Sequence, residues 1–379
     1  MVDDDTRKAW RDRYRNGNFL APMVRLGTLP MRLLCLEYGA DLVWSPEIVD
    51  QSVADTERVV DEQTGVVRYI KNDRDVFTTH PNEKDKLIFQ LGSAAPESAL
   101  AAAKKVMQDV SGFDLNCGCP KQFSLQGGMG AALMADPDRL CSILDILVKN
   151  IDLPITCKIR VFDDEEKTLA LVKRVVATGI SALTVHCRTK DMRPREPAMW
   201  KRLDAIVKAV PDIPVILNGD VFNYEDFDRA RRETGAASAM SARGVVENAS
   251  VFRSAGKLPA IEVAHAYIEN CVRMANNYTN TKYSIMQMYT DTKSQVFVDM
   301  RSAKCYRDLC AALGLSELYE NVGTKVLTER LDLNMNKNLR GKPATPSGKN
   351  KRAAQEAREK APGVDNVQVD QIQAKRIKA

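Results

Sequence analysis

Asn116, Cys117 and Cys119 fall within four positions of one another, and Cys119 stands directly before Pro120. An apolar lead-in from Gly112 runs into them, and Lys121–Met134 follows, with Gly127, Gly128 and Gly130 crowded together. A strand that stops on an amide and two thiols and opens into a glycine-rich loop has the form of an active-site rim. Further along, apolar runs end at Lys158 and Arg160, at His186 and Arg188, at Asn218-Gly219-Asp220 and at Ala242-Arg243-Gly244; earlier runs carry Met23 and Gln90. These are cations, hydrogen-bond donors and glycines that let a backbone approach a ligand. Backbone amides around Gly219 and Gly244 suit a phosphate, and Lys158, His186 and Arg243 suit the rest of a phosphorylated aromatic cofactor. No dinucleotide fingerprint appears, so flavin mononucleotide (FMN) fits better than a dinucleotide.

For these residues to meet, the runs must be neighbouring strands whose C-terminal ends share one rim. The runs are 18–23, 41–48, 86–92, 112–119, 154–160, 182–189, 214–220 and 237–244. Between them lie helix-like segments at 29–38, 96–110, 137–150, 165–178, 200–210 and 224–233. Eight strand–helix units predict an α/β fold, a (β/α)₈ TIM barrel over residues 18–256, behind an N-terminal segment 1–17. The runs read as continuously apolar, as expected of a buried parallel sheet. Thr56–Val60 and Val66–Ile70 predict a β-hairpin inserted at the rim. An open doubly wound sheet would want a phosphate-binding G-x-G-x-x-G after its first strand, and Met23–Gly27 does not supply one.

After about Gly256 the β-like runs stop. Helical spacing over 261–276, 283–289, 296–313 and 316–328 predicts a small all-α domain at 257–335, followed by a basic tail at 336–379 with a short basic helix at 349–360. The chain has 379 residues and a net charge of +5, and residues 341–379, with nine Lys/Arg against four Asp/Glu, carry that whole excess. A neutral body with a basic tail suggests a polyanionic partner; a solvated terminus is the plainer alternative. Nine scattered cysteines imply reduced thiols, and no apolar run is long enough for a signal segment or a membrane span, so a soluble, cytoplasmic protein is expected.

Each candidate has a plainer reading. Cys119 could be a small buried hydrophobe, but its place before proline in a glycine-rich loop favours a site. Cys117 and Cys119 have no second ligand pair and the chain has three histidines, so no metal is expected. Lys158 could simply reach solvent, and His186, in Leu183-Thr-Val-His-Cys187, could be a bonded core histidine. Arg193 and Arg195 flank the proposed mouth, or only solvate a loop.

Laid out in order, Leu20-Ala21-Pro22-Met23, Gln90-Leu91-Gly92, Asp114–Pro120, Lys158-Ile159-Arg160, Val185–Thr189 and Asn218-Gly219-Asp220 resemble the motifs of the dihydrouridine synthases, flavin enzymes that reduce uridine in transfer RNA. Asn280-Thr281-Lys282-Tyr283 and Gln287-Met288 are similar to the eukaryotic branch acting on position 20 of the D-loop. Ala242 departs from the glycine that often precedes the arginine in this family. The resemblance implies FMN, with NADPH as hydride donor, and a tRNA substrate. It makes Cys119, not Cys117, the general acid that protonates uracil C5, since a thiol of pKa about 8.5 is mostly protonated at pH 7. It implies Pro22, Met23, Gln90, Lys158, His186, Asn218, Gly219, Asp220, Ala242 and Arg243 around the cofactor. Substrate contacts are expected at Asn116, Arg188, Arg193 and Arg195. A monomer is expected. The rival readings are a flavin oxidoreductase of a free pyrimidine and an RNA-binding protein without catalysis.

Overall fold

A computed structural model of the chain describes residues 2–322; the expected tail and its short basic helix lie outside them. Eight parallel strands form the barrel, at Asn18–Leu20, Leu42–Trp44, Leu87–Gly92, Gly112–Asn116, Ile155–Arg160, Ala182–His186, Val215–Asn218 and Ser238–Ser241. The first pairs with both the second and the eighth. The sheet closes where the second meets the third, Val43 opposite Leu87 and Trp44 opposite Ile88. All eight expected strands are present, six of them shorter at the C-terminal end because the polar run-out belongs to the rim loops, while Leu87–Gly92 and Ile155–Arg160 keep theirs.

A closed barrel buries both faces of every strand, and here the faces differ. Outward-facing Leu20, Val43, Phe89, Phe113, Leu115, Ile159, Leu183, Val185 and Leu217 pack under the helices. Inward-facing Phe19, Leu42, Trp44, Ile88, Ala182, Ile216 and Met240 form a separate apolar plug. Tyr14, from the expected N-terminal segment, is fully buried and belongs to that plug. Above it the inner wall turns polar, with Gln90, Asp114, Thr156 and Thr184 all buried. The strands are therefore not uniformly apolar. Side chains alternate across a strand, and a barrel whose interior opens into a mouth needs polar groups on the inner set.

The rim insertion is larger than the expected hairpin. Glu57–Val60, Val67–Lys71 and Arg74–Thr79 make a three-stranded antiparallel sheet. Asn72 and Asp73 both have positive φ, at 51° and 57°, and form the tight turn into the third strand. That pair, followed by β-prone Val-Phe-Thr-Thr, was the available signal. The insertion is tied to the barrel by a fully buried ion pair. Arg32, on helix Leu29–Glu37, donates to both oxygens of Glu83 at 2.6 and 2.8 Å and to the carbonyls of Gly27 and Thr78. Thr79 Oγ1 donates to the same carboxylate.

Helix Ala260–Arg273 packs on Leu29–Glu37, and Asn270 Nδ2 donates to Glu37 Oε1. The expected single helix over 296–313 is two, Gln295–Ser302 and Tyr306–Ala312. The break sits where tertiary donors take the carbonyls a helix would use: Tyr278 Oη and Lys282 Nζ both donate to Ala303 O. Asn280 and Tyr283 face the loop after the first strand. Asn280 Nδ2 donates to Arg25 O, and the Arg25 guanidinium lies 3.7 Å over the Tyr283 ring. Helix Ser316–Asn321 covers the start of the last expected helix, whose remainder falls outside the described residues.

Removing one partner of the buried pair strands the other charge without solvent. Arg32→Ala should cost about 3–5 kcal/mol of unfolding free energy, read by urea denaturation.

Candidate active site

Strand register determines which rim residues share a level. Asn116 stands opposite Lys158; one step higher, Arg160, His186, Asn218 and Met240 run across four strands. The mouth divides into two halves around them.

On the fourth-strand side, Asn116 shapes the loop. Its Oδ1 accepts the N–H groups of Gly118 and Cys119 at 3.0 and 3.2 Å. Cys119 O accepts the N–H of Ala131 at 3.0 Å, so the glycine-rich segment folds back onto the thiol. The two thiols part company here. Cys117 is fully buried with its Sγ 3.6 Å from that of Cys157, whereas Cys119 is partly exposed. Burial pushes the Cys119 thiol up, and the neighbouring Glu47 adds to the shift, so it stays protonated at neutral pH. Lys158, partly exposed in the same mouth, has its pKa lowered to about 8 by desolvation and by Arg160, with Asp114 acting in the opposite direction.

Below Lys158 lies Asp114, fully buried, accepting 2.7 Å bonds from Gln90 Nε2 and Thr156 Oγ1. Burial raises its pKa to about 6 against those bonds and the Lys158 charge. Gln90 is thereby oriented: its amide nitrogen is committed to Asp114, and its oxygen remains to accept. Thr184 Oγ1, buried in the barrel, lacks a protein partner, and the buried Trp44 indole faces Asp114.

On the other side, His186, Arg188, Asn218, Gly219, Asp220, Ala242 and Arg243 line one cavity of about 170 Å³, with Arg160 at its edge. His186 is held strongly below its usual pKa by burial and by Lys158, Arg160, Arg188 and Arg243. Arg188 Nη1 lies 3.2 Å from His186 Nε2. A guanidinium only donates, so Nε2 accepts and Nδ1 carries the proton. Asp220 gathers both arginines: Arg188 Nη2 donates to Oδ1 at 2.5 Å, Arg243 Nη2 donates to the same oxygen, and Oδ2 accepts the N–H of Ala198. Their charges hold the Asp220 carboxyl low despite its partial burial. Gly244 has no room for a side chain, since a Cβ would stand 2.6 Å from Val221 O. This set, a neutral imidazole, an amide and half-exposed Arg243 around a cavity, matches a phosphorylated planar ligand better than a metal. Among the described residues, no group of His, Cys, Asp and Glu could hold a metal ion.

The family profile for dihydrouridine synthase (Dus) matches residues 19–326. The chain belongs to that family. It is 46% identical over 308 residues to a Schizosaccharomyces pombe protein named tRNA-dihydrouridine(20) synthase, a match covering 78% of this chain and 64% of that one. A Saccharomyces cerevisiae protein of the same name is 40% identical over 291 residues, covering 71% and 76%. A second S. cerevisiae relative, a tRNA-dihydrouridine(20a/20b) synthase, is 32% identical, covering 61% and 60%.

Within this mouth the expected residues are not all placed alike. Pro22 and Met23 sit partly buried on the first-strand loop, where Met23 O accepts the N–H of Gly27. Arg188 is nearly buried, and its donors go to Glu196 O, Pro194 O, His186 and Asp220. The structure thus makes it a clamp on the 190–197 loop. Arg193 and Arg195 are exposed on that loop, while Pro194 between them lines the cavity. Glu47 is absent from the expected residues, and Arg160, expected at the end of its run, has a role the sequence does not show. Arg160 donates to Gly118 O and Thr189 O, tying the loops after the fourth and sixth strands. Glu47 faces Cys119, Asn116 and Ser124. Arg160 was visible as the end of its run; Glu47, next to Pro46, carried no local signal.

The depressed His186 has a consequence with a definite sign. The unfolded chain takes up a proton near pH 6.5 and the folded one does not, so this residue's contribution to stability is present above pH 6.5 and lost as pH falls. The ring-proton NMR signal of His186 should stay flat from pH 8 down to 5.5.

Proposed function

We propose that this chain reduces a uridine of tRNA, at position 20 of the D-loop, to 5,6-dihydrouridine, with FMN bound in the barrel mouth and NADPH as hydride donor. The observation that carries the reading is Cys119. It is a thiol kept protonated by burial, on a loop pinned by Asn116, in the same mouth as Lys158 and the neutral His186. A flavin held there would supply the hydride for uracil C6. Cys119 gives the proton to C5, and its sulfur keeps the electron pair. Lys158 and Gln90 would hold the ring, His186 and Asn218 its side chain, and Arg243 with the amides near Gly219 and Ala242 the phosphate. Asp220 positions Arg243 for that contact. The names of the relatives support a tRNA substrate and position 20.

A stacked base cannot reach the barrel mouth, so the uridine is extruded at a cost of a few kcal/mol. Contacts from Lys and Arg to phosphates offset that cost. Arg193 and Arg195 on the rim, the helical region at 257–335 and the basic tail at 336–379 are the surfaces we assign to those contacts. A cytoplasmic location accords with this role, and among the described residues no helix is long and apolar enough to cross a membrane.

The test combines the absorbance spectrum of the purified protein with NADPH oxidation and dihydrouridine formation on unmodified tRNA. Flavin bands and tRNA-dependent product are expected. Cys119→Ala should keep the flavin bands and tRNA binding while losing roughly 10²-fold or more in product formation, the usual scale for a general acid. Turnover of free uridine or orotate without RNA would overturn the tRNA assignment, and a fully active Cys119→Ala would remove the thiol from the chemistry.

A further inference from the structure

Glu47 lies in the short turn between the second strand and Ile48–Val49. That two-residue bridge pairs in parallel with the third strand, Ile48 opposite Leu91 and Val49 opposite Gly92. The pairing lays the Glu47 side chain across Gly92, where a Cβ would come within 2.8 Å of Glu47 Oε1. Ser124, on the loop behind Cys119, donates to Oε1 at 3.4 Å. Oε2 is buried without a partner. The remaining polar neighbours of the carboxyl are the Asn116 amide and the Cys119 thiol. Asn116 in turn holds the Cys119 N–H, so carboxyl and thiol are pinned from both sides of one loop.

We propose that Glu47 is a positioning residue that, together with burial, holds Cys119 in its protonated form. The argument rests on the Cys119 role proposed above. Proton transfer breaks the S–H bond, forms C5–H and leaves the electron pair on sulfur; a thiol that has already ionised has no proton to give. An adjacent carboxylate disfavours the thiolate, and burial of the pair strengthens that repulsion. The opposing charges are Lys158 and Arg160 on the fifth strand, both of which feel the Cys119 charge, and the Lys121 amide on the thiol's own loop stabilises the thiolate. Without Glu47 only burial opposes these groups, and the thiol becomes more acidic than in the wild type. The carboxyl itself is pushed up by burial, which fits a group held for its effect on a neighbour.

The test is the pH dependence of iodoacetamide alkylation at Cys119 in the intact holoprotein, followed by mass spectrometry of the peptide that contains it. This readout needs neither RNA nor hydride donor. Glu47→Gln should lower the midpoint by about one pH unit, so alkylation at pH 7.5 runs about tenfold faster. Glu47→Asp, which restores the charge, should return the midpoint towards wild type. The alkaline limb of dihydrouridine formation should move down with the alkylation midpoint. Should Glu47→Gln not fold, Glu47→Ala carries the same expectation. An unchanged midpoint in a folded, flavin-binding Glu47→Gln or Glu47→Ala overturns the inference. A shifted midpoint in a protein that makes no dihydrouridine would uphold the coupling and overturn the proposed function instead.

Discussion

The buried carboxylate of Asp114 is the group around which the inner wall is organised. It sits on the fourth strand in register with Gln90 on the third and Thr156 on the fifth, and it accepts a hydrogen bond from each. Taking a carboxylate out of water is costly, and two neutral donors do not fully compensate, which is why its pKa rises to about 6. The Lys158 ammonium one level above adds a further, partial compensation. Lys158 is itself destabilised by desolvation and by Arg160, so each charge makes the other tolerable. This arrangement commits the Gln90 amide nitrogen downward and leaves its oxygen for a ligand. It also stiffens three adjacent strands at the level where the mouth begins.

Above that layer the rim does two kinds of work with different electrostatics. The fourth-strand side is arranged around a proton: a thiol and a carboxyl, both partly buried, on a loop whose turn is closed by Asn116. The seventh- and eighth-strand side is arranged around negative charge. Arg188 and Arg243 converge on Asp220, and His186 is kept neutral by burial and by the cations about it. Asp220 prevents two guanidiniums from repelling one another across the cavity, and it leaves Arg243 half-exposed. Arg160 links the two halves through the carbonyls of Gly118 and Thr189. The loop that carries the thiol and the loop that begins at Arg188 are thus held by one side chain.

The eight-fold barrel was legible in the chain because strand runs and amphipathic helices alternate locally, and both signals are short-range. The rim residues were legible for the same reason: each ends its own run. Cys119 was separable from Cys117 by its place before Pro120 and by resemblance, and the structure adds a reason, since Cys117 points back to Cys157. What tertiary structure alone decided was partnership. Arg188 reads as a free cation along the chain, yet Glu196, Pro194, His186 and Asp220 consume its donors. Val296–Leu313 reads as one helix until Tyr278 and Lys282 claim the carbonyl of Ala303. The polar inner wall hides within runs that look apolar, because only barrel closure assigns alternate side chains to the inside. Glu47 becomes a neighbour of Cys119, 72 positions away, only when the second strand pairs with the third. Local patterning determined which elements form and where they end; long-range pairing decided which of their charges meet, because a charge acts through space and not along the chain.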